Sequence, residues 1–449
     1  MNHSDRDRFN VGACRPRRAR PLVVVSIGVA LCLIVFVLGV GVGRYQWYPF
    51  PVLRVTKQHV VAWTLKLAGR AEQEPEAGLP GTLKCTGADA PYASGRYSMR
   101  LMCERAPFAA RDGAGAVMLN DTIYLIGGWN SNDKAGFPRI TSNDVWASSD
   151  LGRTWQELKA NTFDDSFIGG SDWEGRHCAG YVALDGWMYI VGGDANQGHH
   201  INDVWRSRDG VRWELVSANP PWAPRALHLT FTYRGKMYVV GGQTMPKFTK
   251  SSAIDETYYR DVWESPDGAQ WRKVDVKGDL FAPRGGYGGS GFVLNDEVLV
   301  VGGFTYDNIV NRDRDLWTDV WKSSGDLSSW EQVGELPMQA GGQGLMYHDT
   351  ATFDGALWVI GGAEGDGRNT NDIWFTYNGA DWNRVASSPL RPTHATSVWS
   401  TPRGIVIAAG NGWSQRVWLI EKSDDHTEDF ASIEDPSSEP ADLKMRSAE

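Results

Sequence analysis

The sequence predicts an all-β, six-bladed β-propeller, and three observations carry that expectation. An apolar strand closing on a glycine pair recurs as IYLIGG to Gly128, MYIVGG to Gly193, MYVVGG to Gly242, VLVVGG to Gly303 and LWVIGG to Gly362, with a degenerate sixth copy, IVIAAG, to Gly410. Each copy is followed by a second signature: Asp144-Val145-Trp146, Asp203-Val204-Trp205, Asp261-Val262-Trp263, Asp319-Val320-Trp321, Asp372-Ile373-Trp374 and Arg416-Val417-Trp418. A further tryptophan (155, 213, 271, 330 and 382) then lies across a turn such as SRDG or SPDG. A further apolar strand precedes each Gly-Gly strand across a short turn such as LDG or YRG, so every repeat reads as four short strands. No single repeat buries both its faces, so the units stack around an axis.

The sixth repeat stops after its third strand. The missing strand stands at the front, where Met99-Arg100-Leu101-Met102-Cys103-Glu104 and then APFAAR parallel Trp213-Glu214-Leu215-Val216 and PPWAPR. The N-terminal segment is therefore expected to complete the last blade and to remove the open sheet edge.

Before the repeats, Leu22 to Val42 is a run of uncharged residues. As a helix it would be about 31 Å long, the thickness of a hydrocarbon core. Arg15, Arg17, Arg18 and Arg20 flank it on one side and Arg44 alone on the other. The positive-inside bias then places the N-terminus in the cytosol and the propeller on the exoplasmic, periplasmic or extracellular side. The expected organisation is a basic cytosolic tail (1–21), a single-pass transmembrane signal-anchor (22–43), a membrane-proximal segment and linker (44–96), the propeller (97–422) and an acidic disordered tail (423–449). The last 29 residues carry ten acids against three basic residues, with few apolar ones. A net charge of −9 argues against a nucleic-acid partner, which needs a basic face.

The glycine pair, the following aromatic and the later tryptophan resemble kelch repeats, as in the galactose-oxidase-like propellers. The resemblance covers about residues 97–422 and implies a kelch-type β-propeller. Ser148 to Trp155 (SSDLGRTW) also matches the Asp-box of sialidases, a structural turn in that family.

Strand alternation puts the long loops 129–143, 160–175, 243–260 and 304–318 on one face, while the turns on the other are short. Binding residues favour loops held by a rigid scaffold. Arg111, Arg176, Arg225, Arg284 and Arg391 fall 16 or 18 residues before the glycine pairs, with Gln343 in that place in blade 5. His177, His228, Tyr287, His348, Asp349 and His394 follow them closely. Two readings stand side by side. The arginines grip an anion or sugar acid at the channel mouth through bidentate forks, or they tie the blades together. In the second case, acids such as Asp307, Asp313, Asp349 or Asp366 are candidate partners. Trp129, Tyr306 and Trp317 are candidate stacking platforms for a sugar ring.

Other chemistry is sparse. Asp194, His199, His200 and Asp203 share one short loop but read better as a solvated loop than as metal ligands. Gly286, Gly288 and Gly291 spell G-x-G-x-x-G without a following helix, and no cofactor is expected. Cys85 and Cys103 are candidates for a disulfide. The functional expectation is a membrane-anchored module that binds a glycan or protein ligand on its long-loop face. The alternative is an enzyme on a sugar acid, by likeness of architecture to sialic-acid mutarotases, with His348-Asp349 as an acid–base pair.

Overall fold

The computed structural model describes residues 83–84, 92–94 and 96–423, apart from 196–198, 245–256, 287, 290–291, 309–312, 338–343 and 386–387. The proposed anchor (22–43) and the acidic tail beyond Ser423 lie outside the described residues. Among the described residues, no helix is long and apolar enough to cross a membrane.

The repeats form six antiparallel blades. Blade 2 is representative: Gly180–Leu184, Trp187–Ala195, His199–Ser207 and Glu214–Ser217 pair in sequence from the axis outward. Blade 6 closes the ring as expected. Its strands Ser397–Ser400, Ile405–Ala408 and Val417–Lys422 are joined by Tyr97–Cys103, with Leu101 opposite Trp418 and Met99 opposite Ile420. The 44–96 linker assignment needs correction at two points. Leu83–Lys84 adds to the outer strand of blade 1, and Tyr92–Ser94 adds to Tyr97–Cys103. Short strands on both sides of the closure cover edges that would otherwise be exposed.

Packing is between blades. Tyr97, Met99, Leu101, Trp358, Ile360 and Trp418 share one cluster between blades 5 and 6. Cys103, Phe108, Trp155, Trp399 and Val417 share another between blades 6 and 1. The outer-turn tryptophans repeat one bond, Trp155, Trp213 and Trp271 each donating Nε1–H to the carbonyl of the glycine three residues earlier. Those glycines have φ of 74–83° and sit on the neighbouring blade. At Gly152 a Cβ would lie 2.5 Å from Val417, so both backbone and space require glycine there.

The blades are also joined at the backbone. The second glycine of a pair donates its N–H to the next blade: Gly128 to Arg176, Gly193 to Arg225, Gly242 to Arg284, Gly362 to Thr393, and Gly410 across the closure to Arg111, all at 2.8–2.9 Å. One residue ring further in, Cys178 donates to Gly113, Leu227 to Cys178, Tyr347 to Gly286, Ala395 to Tyr347 and Gly113 to Ala395. All six residues of that belt have positive φ.

A chain lacking residues 97–103 should aggregate or melt well below the intact chain, because Val417–Lys422 becomes a bare edge and Trp418 loses its cover. Matched thermal melts would show that blade 6 closes without this strand.

Candidate functional site

Four of the five arginines have one fate, and it is inside the blades. Arg111, Arg176, Arg225 and Arg284 are each at most 1% exposed. Each forms a forked pair with the aspartate of the Asp-Val-Trp signature on the third strand of its own blade. Arg111 reaches Asp144 at 2.6 and 2.8 Å, Arg176 reaches Asp203 at 2.5 and 3.3 Å, and Arg225 reaches Asp261 at 2.6 and 3.2 Å. Arg284 pairs with Asp319 in the same way. Nη1 also donates to the carbonyl of the first glycine of the pair, at 2.8–3.1 Å for Gly127, Gly192, Gly241 and Gly302. Nε donates to the carbonyl two residues upstream. The signature tryptophan completes the cage: Nε1 of Trp146, Trp205, Trp263 and Trp321 donates to the same aspartate at 2.7–2.8 Å. Burial works against the carboxylates of Asp144 and Asp261, but Arg111 and Arg225 outweigh it and hold both below the usual carboxylate range.

These four guanidiniums are therefore saturated by the fold, and the expectation that they ring the channel mouth is corrected. Their partners are not the loop acids Asp307, Asp313, Asp349 or Asp366. Arg391 differs for another reason. Thr393, not Arg391, accepts the N–H of the preceding blade's second glycine, so Arg391 stands two residues off the arginine position and is exposed. Blade 6 also has Arg416 in the aspartate position, paired with Glu104. In blade 5 the same register gives Leu345, and Asp372 is taken by Arg384 at 2.6 Å. Gln343 and Tyr287 lie outside the described residues.

The histidines divide. His228 and His348 are buried between blades, their rings close to Gly192 and Gly302 of the preceding blade. Burial holds both neutral, pushed down to about 3 and about 4. Asp349 turns the other way, accepting from the Thr396 N–H and Oγ1–H at 2.6 Å each. His348 and Asp349 thus serve opposite neighbours and do not form the expected acid–base pair. Asp203 of the candidate metal loop is engaged by Arg176, and among the described residues no metal-binding cluster forms.

What the long-loop face does assemble is aromatic. Trp129 stacks between His177, 6.1 Å away, and Trp413, 5.9 Å away, joining blades 1, 2 and 6. Across the mouth, Tyr347 lies between Phe304 at 4.9 Å and His394 at 5.1 Å. His394 meets Asn369 Oδ1 at 2.6 Å through Nδ1. Near His177, buried Asp112 accepts from Asn411 Nδ2 at 2.7 Å, and burial pushes its carboxyl up to about 6. Burial works against the His177 imidazolium, but the Cys178 sulfur and the Asp194 and Asp112 carboxylates raise it above the usual range. Trp317 lies over the Arg284 guanidinium at 4.9 Å and is partly spent there. The side chain of Tyr306 lies outside the described residues. Phe304, in the long loop after the fourth glycine pair, was within reach of sequence reasoning, whereas Trp413 and Tyr347 were not candidates on sequence grounds. Trp413 follows the degenerate Ala-Gly, where the broken motif hid it.

The profile of the KLHDC2/KLHL20/DRC7 Kelch-repeats domain matches residues 113–337, half of the chain. The chain belongs to the kelch-repeat family. It is similar to Kelch domain-containing protein 3 of Bos taurus, at 28% identity over 188 residues, covering 39% of this chain and 43% of that protein. Kelch repeat protein M-T8 of Myxoma virus (strain Lausanne) is 28% identical over 282 residues, 60% of this chain and 43% of the viral protein. Kelch repeat and BTB domain-containing protein 12 of Danio rerio is 26% identical over 231 residues, 49% of this chain and 34% of that one. The kelch chain thus spans less than half the length of these relatives.

If the cages are structural, Arg111→Ala strands a buried carboxylate and should lower stability by about 3–5 kcal/mol in urea unfolding with no ligand present. Arg111→Met combined with Asp144→Leu should recover much of that loss. An unchanged Arg111→Ala protein would restore the anion-site reading. The depressed carboxylates of Asp144 and Asp261 stabilise the fold fully above their unfolded pKa of about 4, and this contribution is lost as pH falls through their folded values. The acid limb of a pH–stability curve should flatten in the double variant.

Proposed function

We propose that this kelch propeller is a protein-interaction module, displayed on the exoplasmic side of a membrane by the 22–43 anchor and engaging its partner through the long-loop face. The observation that carries the reading is the division of the polar and aromatic residues. The arginines that would grip a sugar acid are consumed inside the blades. The long-loop face instead presents Trp129–His177–Trp413 and, seated on buried Phe304, Tyr347 and His394. Aromatic anchors set among variable loops suit a protein interface, where a few such side chains supply most of the affinity. The kelch relatives bear on the module alone, not on what the whole proteins do. Display outside the cytosol is supported by the apolar span with its one-sided arginines, and by Cys103, which is disulfide-bonded. The partner cysteine lies outside the described residues.

The test places a photo-crosslinking residue at Trp129 or, on the short-turn face, at Asp185 in intact cells. A discrete crosslinked protein from position 129 and none from 185 is the expected result. Equal labelling from both faces, or none, would count against a long-loop interface, and binding on a glycan array without any protein crosslink would transfer the site to a sugar ligand. Trp129→Ala should weaken the captured interaction about tenfold or more. The anchor predicts that the protein resists alkaline carbonate extraction from membranes, that deletion of 22–43 releases it, and that added protease reaches the propeller in spheroplasts.

A further inference from the structure

The propeller axis contains a partly enclosed cavity of about 50 Å³, lined from all six blades by residues that include Ala116, Tyr181, Thr230, Phe292, Asp349 and Thr396. Its wall is polar in an unusual way. Asp349 Oδ1, Thr230 Oγ1, Tyr181 OH and His228 Nδ1 are all buried there without a hydrogen-bond partner. Asp349 is 1% exposed and Thr230 6%. Buried polar atoms are nearly always satisfied, and buried charges are paired or bind a metal. Four such atoms on one cavity wall therefore point to a shared ligand.

The wall is also built to hold its shape. A Cβ on Gly180 would lie 2.1 Å from Thr230 Oγ1, and one on Gly115 would lie 2.3 Å from the Tyr181 ring. Both side chains are thus seated against bare backbone of the preceding blade. Asp349 is fixed through its other oxygen by Thr396.

The donor set selects the ligand. Among the described residues, no Lys, Arg or second acid lines the cavity. His228 Nε2 lies 3.1 Å from the Val191 carbonyl and so carries the proton, which leaves Nδ1 as a lone pair. One carboxylate oxygen, two hydroxyl oxygens and one imidazole lone pair offer electron pairs and a single negative charge. Oxygen donors suit hard cations. One carboxylate balances one positive charge, whereas a divalent ion would leave a net charge in a buried site. Space for about three or four waters accommodates an alkali ion with part of its hydration shell. Burial pushes Asp349 up to about 7 against the two Thr396 bonds, so at pH 8 its charged form is available. We infer that the axial cavity is a binding site for one hard monovalent cation of sodium or potassium size, held by Asp349 with Thr230 and Tyr181, and that the ion ties blades 2, 3 and 5 together across the axis.

The full-length protein in detergent at pH 8 is melted in choline chloride and in sodium or potassium chloride at equal ionic strength, and ion binding is measured by equilibrium dialysis with radioactive sodium or rubidium. The expected result is a saturable rise in Tm with one alkali ion over choline, about one bound ion per chain, and loss of both in Asp349→Asn. Thr230→Val keeps the carboxylate and the side-chain shape, and should weaken ion affinity roughly tenfold, the loss of one direct ligand. It decides the matter if Asp349→Asn fails to fold. Identical melts in choline, sodium and potassium without bound ion would leave water as the occupant and overturn the proposal. So would an ion response that survives in Asp349→Asn, unchanged affinity in Thr230→Val, or displacement of the alkali ion by micromolar calcium or magnesium.

Discussion

A buried arginine in a cage of one carboxylate, two carbonyls and an indole organises this molecule. It appears four times with nearly the same distances. The cage joins the start of a blade's inner strand to its second and third strands through one guanidinium. The arginine's own carbonyl meanwhile accepts the N–H of the preceding blade's glycine pair, as at Gly128–Arg176. One residue therefore sets geometry within a blade by its side chain and between blades by its backbone. The pair of glycines follows from this. A Cβ on Gly127 would stand 2.9 Å from the Arg176 carbonyl, and one on Gly193 would stand 2.6 Å from Ala179. Buried ion pairs are weak sources of net stability. We assign them a registry role, since a blade slipped by one residue strands both charges.

The two blades without the cage show what can replace it. Blades 5 and 6 place Leu345 and Thr393 where the others have arginine, yet keep the glycine N–H bond to the neighbour, at least at Gly362–Thr393. The aspartate left in blade 5 finds Arg384 near the surface, and in blade 6 charge is reversed, with Arg416 turned outward to Glu104. These blades flank the closure and share the largest aromatic packing, Tyr97 against Trp358 and Phe375. Apolar contact and the extra strand pairing of Tyr97–Cys103 take over where the ion pair is missing.

The architecture was readable because it is periodic. Repeated strands, glycine pairs and tryptophans announce themselves by spacing, and the front strand could be assigned to the last blade because that blade was one strand short. The cages were half visible. Arginine at one register and aspartate at the head of Asp-Val-Trp both recur, but they lie 27 to 36 residues apart. Only the pairing of both strands with the second, across whose glycine pair the arginine reaches, brings them together. Counting back from the glycines also misled at Arg391, because blade 4 carries two additional residues between Arg284 and Gly302, and the resulting 18-residue spacing matched Arg391 by coincidence. Charge pattern in one dimension cannot tell an arginine facing a ligand from one facing its own third strand.

The same geometry orders the residues around the axis. A belt of six residues at positive φ, joined by five hydrogen bonds from blade to blade, runs around the axis near the long-loop face. Three of them, Cys178, Leu227 and Tyr347, carry side chains large enough to narrow the opening, and Leu227 and Tyr347 pack with Phe304 and Met346 over it. The unpartnered polar atoms belong to residues that line the axial cavity, whereas Trp129, His177 and Trp413 lie among the long loops. In blades 1 to 4 the cages supply the register from within, so the ring there does not depend on the side chains of the long loops alone.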